Sequence, residues 1–242
     1  MGWQAFSPLA GCKLVTMAID SSKIRALCFD VDGTLSDTDD LFVRRLVGWL
    51  APFSLLFPRK DPHAFARRLV MATESPGNLL LGLSDRLGID DDISRFGDFI
   101  YRRGLGSSPQ PFLLIAGVQH MLAQLSQHYP LSIVSARGQR NTLRFLEQFE
   151  LTHYFTAIAT AHTCAHTKPF ADPILWAAAQ MDVLPDSCLM IGDTVVDIQA
   201  GKAAGAQTVG VLCGFGQPEE LAKAGADLIL PHTSLLTSIL LA

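Results

Sequence analysis

A doubly wound parallel α/β sheet, with a helical domain inserted after its first strand, is the fold class this sequence predicts. Two observations lead there. Six short, nearly continuous apolar runs recur at residues 24–29, 131–134, 157–160, 188–191, 208–212 and 227–230, the pattern of strands buried on both faces. Residues 117–128, 139–150, 173–181, 196–204 and 219–224 lie between them with apolar side chains at helical spacing, and such alternation implies parallel strands joined by crossover helices. It lapses once, across residues 38–110, which read as helices.

Taken in order, residues 1–20 form an N-terminal extension. The first sixteen lack the charged start and unbroken apolar run of a secretory signal; they read either as an extension before an alternative start at Met17 or as a loose arm, and are expected to be poorly ordered. Residues 21–37 and 111–242 make up the α/β core. Residues 38–110 make up the inserted domain, with helical spacing at 40–50, 62–72, 78–87 and 91–103 and Pro, Gly and Asp clusters as breaks. Nine of the thirteen arginines fall in this insert, whose ten cations against nine acids leave it near +1, so the core, with nine against fourteen, carries about −5 of the total −4.

Composition excludes several classes. With 49% hydrophobic and 17% charged residues, the 242-residue chain has the apolar material for a sizeable core. A net charge of −4 offers no general attraction to nucleic acid or anionic membranes. The uncharged stretch at 46–58 is too short to span a bilayer and is broken by Gly48 and Pro52. Five scattered cysteines without a C-x-x-C pair fit neither a disulfide framework nor a zinc module, and point to a reducing cytoplasm.

In open α/β sheets the ligand crevice lies outside the carboxyl ends of the strands, so the residues after each run carry the chemistry. Asp30-Val31-Asp32-Gly33-Thr34 closes the first run, and a spacing of two sends both carboxylates to one side if strand geometry persists. A divalent cation suits two adjacent carboxylates, and Gly33 lets backbone approach a phosphate closely. An ordinary turn after a strand is the alternative. Asp193, Thr194 and Asp197 follow the fourth run and bring further acid to the same edge: Asp193 suits a metal, Asp197 a supporting role, and Thr194 is equally a helix cap. Ser135 ends the second run, where its hydroxyl and the amides near Ala136 suit phosphoryl oxygens; a cap is the plainer use. Lys168 supplies a fixed cation where a surface lysine is the plainer reading.

In this order, the segments FDVDGTLSDT (residues 29–38), Ser135, Lys168 and IGDTVVDIQAGKAAGA (191–206) resemble the haloacid dehalogenase superfamily, in its phosphatase branch with a helical cap. The resemblance spans about residues 23–230 and implies a Rossmann-like core with residues 38–110 as the cap. It implies Asp30 as the nucleophile that takes up the phosphoryl group, and Asp32 as the acid that protonates the leaving oxygen and then activates water. Mg²⁺ would be held by Asp30, the main-chain carbonyl of Asp32 and Asp193, while Gly33, Ser135, Ala136 and Lys168 grip the phosphoryl group. An acid at position 32 favours phosphate esters over carbon–halogen bonds. Two departures from the common pattern stand out: Ala136-Arg137 follows Ser135 where many relatives have Asn, and Ala171 stands where Pro is frequent.

The implied activity is Mg²⁺-dependent hydrolysis of a small phosphorylated metabolite, phosphoglycolate phosphatase-like. The alternatives are a β-phosphoglucomutase-like mutase, for which the insert offers no signature, and a non-catalytic binding protein on the same fold. His162, Cys164 and His166 have metal-ligand spacing but fall in an expected loop. One or two insert arginines are expected to meet a second anion on the substrate, and Trp49, Phe53, Leu55, Leu56 and Phe57 to serve as insert core or as a homodimer surface.

Overall fold

The computed structural model describes residues 19–37 and 112–241. The N-terminal extension, the helices expected across 38–110, the insert arginines and the apolar stretch at 49–57 lie outside the described residues.

Among the described residues, six parallel strands form one sheet: β1 (Ala26–Phe29), β2 (Leu131–Val134), β3 (Phe155–Ala159), β4 (Cys188–Gly192), β5 (Gln207–Val211) and β6 (Leu228–Leu230). Their spatial order is β3-β2-β1-β4-β5-β6, which makes β1 central, with chain progression reversing on either side of it. Leu27 is in register with Leu131 of β2 and with Leu189 of β4. The helices are α1 (Val118–Leu125), α2 (Gln139–Gln148), α3 (Asp172–Gln180), α4 (Val195–Ala203), α5 (Pro218–Ala224) and α6 (Leu236–Leu240).

Alternation along β1 divides the core in two. Leu27 and Phe29 join Leu131, Ile133, Leu189, Ile191 and Val209 on one face, covered by Val118, Met121, Leu122 and Leu125 of α1, Phe145 and Leu146 of α2, and Leu236 and Leu240 of α6. Ala26 and Cys28 face the opposite way, against Ile174, Ala177 and Ala178 of α3 and Ala200 of α4. Each Leu, Ile or Phe fully buried on the first face contributes about 1.5–3 kcal/mol. The second face is built from small residues, which lets α3 and α4 approach closely; a β-carbon on Gly201 would lie 2.4 Å from the Thr208 methyl.

The six strands and five longer helices fall where the apolar runs place them, with ends shifted by a few residues. β3 begins at Phe155 rather than 157, because Thr156 is exposed at the sheet edge and its polar side chain interrupts the apolar run. The five-residue α6 is too short to show a period and was not expected. Among the described residues no helix is long and apolar enough to cross a membrane.

Candidate active site

Three strand ends and one loop meet at the carboxyl edge of the sheet. β1 delivers Asp30, whose N–H donates to the Ile191 carbonyl at 2.9 Å and so prolongs the β1–β4 ladder by one residue. β2 delivers Ser135, β4 delivers Asp193, and the loop between β3 and α3 delivers Lys168; all four are buried. α4 adds Asp197 from its first turn, where it accepts at one oxygen from the Thr194 N–H (3.0 Å) and hydroxyl (2.6 Å). Thr194 thus caps α4, and in doing so aims the other oxygen of Asp197 into the site.

Lys168 Nζ donates to Asp30 Oδ1 at 2.7 Å and to Asp197 Oδ1 at 2.6 Å. Burial raises the Asp30 carboxyl, which reaches about 7: Lys168 pulls it down, while Asp197 and Asp32 push it further up. Burial alone would depress the Lys168 ammonium, but Asp197 and Asp30 hold it well above the usual lysine range. The lysine is therefore a fixed positive charge, and Asp30 an acid whose ionised form further positive charge would favour.

Asp193 is packed on every side. Its Oδ2 accepts from the Phe215 N–H at 2.8 Å, and a β-carbon on Gly214 would lie 2.1 Å from that same oxygen. Thr34 Oγ1 lies 3.5 Å from Oδ1. Gly33, at φ +68°, occupies the left-handed region that glycine tolerates, and carries the turn across the Asp193 carboxylate. The turn is pinned from behind, where Thr233 Oγ1 donates to the Thr34 carbonyl at 2.8 Å and Cys213 Sγ lies 3.4 Å from the Gly33 carbonyl.

Oxygen atoms of Asp30, Asp193 and Asp197 all lie within 4.8 Å of one another, the three side chains being buried. An oxygen-only donor set of this kind fits a hard divalent cation. Both carboxylate oxygens of Asp197 are already engaged, Oδ1 by Lys168 and Oδ2 by Thr194, which suits it to support the site.

The expected site residues thus gather at one edge. Asp30, Lys168, Asp193 and Asp197 are in direct contact or close reach, Gly33 abuts Asp193, and Ser135 Oγ accepts from the Arg137 N–H at 3.1 Å. Ala136 is exposed beside it. Asp32 lies beyond the end of β1, and its carboxylate turns to Arg137 rather than into the acidic trio. His166 pairs with Asp172 at 3.0 Å and joins no metal-ready cluster among the described residues. Sequence reasoning missed the Phe215 amide and Gly214, although Gly214 and Gly216 directly after the fifth apolar run were a visible signal of close packing.

Residues 85–211, more than half of the chain, match the profile of the haloacid dehalogenase-like hydrolases. The chain belongs to that family. The matched stretch carries Ser135, Lys168, Asp193 and Asp197, and Asp30 precedes it. The hydrolase is 28% identical over 218 residues to pyrophosphatase PpaX of Anoxybacillus flavithermus, covering 90% of this chain and 97% of that one. It is 27% identical over 229 residues to a phosphoglycolate phosphatase of Shigella dysenteriae, covering 85% and 88%. A haloacid dehalogenase-like hydrolase from Streptococcus pneumoniae shares its fold with a TM-score of 0.61, at 22% identity over 90% of this chain and 98% of that one.

Proposed function

We propose that this hydrolase is a Mg²⁺-dependent phosphatase that removes the phosphoryl group of a small metabolite through an aspartyl-phosphate on Asp30. The observation that carries the reading is the buried Asp30 carboxylate held by Lys168 beside Asp193. Asp30 attacks phosphorus, the bond to the leaving oxygen breaks, and Asp32 gives that oxygen its proton. Asp32 then takes a proton from water as the water attacks phosphorus, and Asp30 is released as a carboxylate. Lys168 restrains Asp30 at Oδ1 throughout. Ser135 and the Ala136 amide supply donors to phosphoryl oxygens, whereas the Gly33 N–H, expected to do the same, is spent on the Ser36 carbonyl at 2.9 Å inside the turn. Asp30, Asp193 and the main-chain carbonyl of Asp32 would hold Mg²⁺, which would supply positive charge that favours the ionised Asp30 and offsets repulsion between carboxylate and phosphate. Residues 38–110 act as a cap that excludes bulk water.

The relatives named for phosphoglycolate and pyrophosphate support a compact, multiply charged substrate. Five scattered cysteines without a C-x-x-C pair are what support a reducing cytoplasm in this reading. A phosphate-release screen over small phosphorylated metabolites with Mg²⁺, run beside Asp30→Asn, tests the reading. Turnover by the wild type and its loss in the variant is the expected result; an active variant, or a wild type inert on every compound, rejects it.

A further inference from the structure

Arg137 grips both oxygens of Asp32. Its Nε donates to Oδ2 at 3.0 Å and its Nη2 pairs with Oδ1, a two-pronged contact between a planar fork and a carboxylate edge. The cation is the more enclosed partner: its side chain is 13% exposed against 36% for Asp32, and its Cζ lies 5.1 Å from the centre of the Phe112 ring. Its own N–H donates to Ser135 Oγ, so the residue is tied to the strand end that faces the phosphoryl group.

This arrangement bears on the substrate. An acid at Asp32 must reach the leaving oxygen, so whatever that oxygen is bonded to lies beside Asp32, and hence beside the guanidinium. A carboxylate or a second phosphate on that part of the substrate presents the same two-oxygen edge that Asp32 presents now. Phe112 stays behind the fork in either case.

Resting on the phosphatase reading, we propose that Arg137 determines specificity by exchanging Asp32 for a second anionic group on the leaving side of the substrate. The exchange keeps the number of charge-assisted hydrogen bonds to the guanidinium and frees Asp32, which takes a proton from solvent as it leaves the fork and carries it to the leaving oxygen. A substrate without a second anion leaves Asp32 held. Selection therefore acts on kcat as well as on KM, because the released residue is the one that moves the proton.

The test measures kcat and KM with Mg²⁺ for phosphoglycolate, pyrophosphate and phenyl phosphate in the wild type, Arg137→Met and Arg137→Lys. Arg137→Met lowers the kcat/KM ratio of a second-anion substrate to phenyl phosphate by roughly tenfold or more, and Arg137→Lys, which keeps charge without the fork, restores part of it. Whether phosphoglycolate or pyrophosphate shows the fall identifies the anion as carboxylate or phosphate. An equilibrium arm titrates Mg²⁺-loaded protein calorimetrically with phosphonoacetate and methylphosphonate, neither of which is hydrolysed; the preference for phosphonoacetate disappears in Arg137→Met. Equal losses on all three substrates with an unchanged phosphonate preference overturn the proposal and leave Arg137 a structural residue. A wild type that hydrolyses none of the three, in a chain also inert in the wider screen, defeats the phosphatase reading instead, and an absent phosphonate preference in the wild type overturns the exchange on its own.

Discussion

A β-carbon placed on Gly33 would lie 2.2 Å from Oδ2 of Asp193, so the turn after β1 and the end of β4 meet with no room for a side chain. Asp193 has little room to yield, because that oxygen also accepts from the Phe215 N–H. Gly33→Ala adds the cost of a left-handed backbone to that of overpacking, about 2–4 kcal/mol together. Urea unfolding will show the loss, and turnover will fall with it; a variant as stable and active as the parent refutes the packing argument.

Lys168→Met leaves Asp30 and Asp197 buried without the ammonium that joins them. Losing one partner of a buried ion pair costs about 3–5 kcal/mol. Adding Asp197→Asn removes one of the stranded charges, so the double variant is expected to be more stable than the sum of the single effects. A double-mutant cycle in denaturant on metal-free protein measures the coupling, and strict additivity would count against a shared network.

Stability should depend on pH in a metal-sensitive way. Asp30 binds its proton in the folded state up to about pH 7, while an unfolded aspartate loses it near 4. Between those values the folded state holds more protons, so this group makes stability fall as pH rises through the window. A bound divalent cation favours the ionised carboxylate and reverses the trend, making the Mg²⁺-induced rise in Tm larger at pH 8 than at pH 6. Asp30→Asn should flatten both effects. Thermal melts at the two pH values, with Mg²⁺ and with chelator, decide it; an equal Mg²⁺ shift at both removes Asp30 from the metal site.

Thr233→Val deletes the buried hydroxyl that donates to the Thr34 carbonyl. An unsatisfied buried acceptor costs about 1–3 kcal/mol. The turn carrying Asp32 and Gly33 loses its rear support, so kcat is expected to fall severalfold alongside the drop in urea midpoint. Unchanged kcat in a destabilised variant would mean that the turn holds itself.

Much of this was legible in the chain because buried parallel strands write themselves as apolar runs, and because an open parallel sheet collects the residue after each run at one edge. Asp30, Ser135 and Asp193 were found that way. Three features were not. The contact of Arg137 with Asp32 joins residues 105 positions apart whose spacing carries no periodic signal, and Arg137 was visible only as a departure from a familiar pattern. The Phe215 amide against Asp193 is main chain and leaves no trace in residue type. Lys168 was named in the sequence as a fixed cation beside Asp30, but its second contact, with Asp197, depends on that carboxylate being turned inward by Thr194.

The central position of β1 also dictates when this enzyme comes into being. A ribosome releases Asp30 early and Asp193 more than 160 residues later, and the sheet order sets those two strand ends side by side. A nascent or truncated chain that stops before residue 188 contains the aspartate but lacks β4, Asp193 and the inward-facing oxygen of Asp197. Such a fragment cannot bring the three carboxylates together. The acidic trio can gather only once β4 and the first turn of α4 have been made, and the Phe215 amide and Thr233 hydroxyl that brace it are made later still.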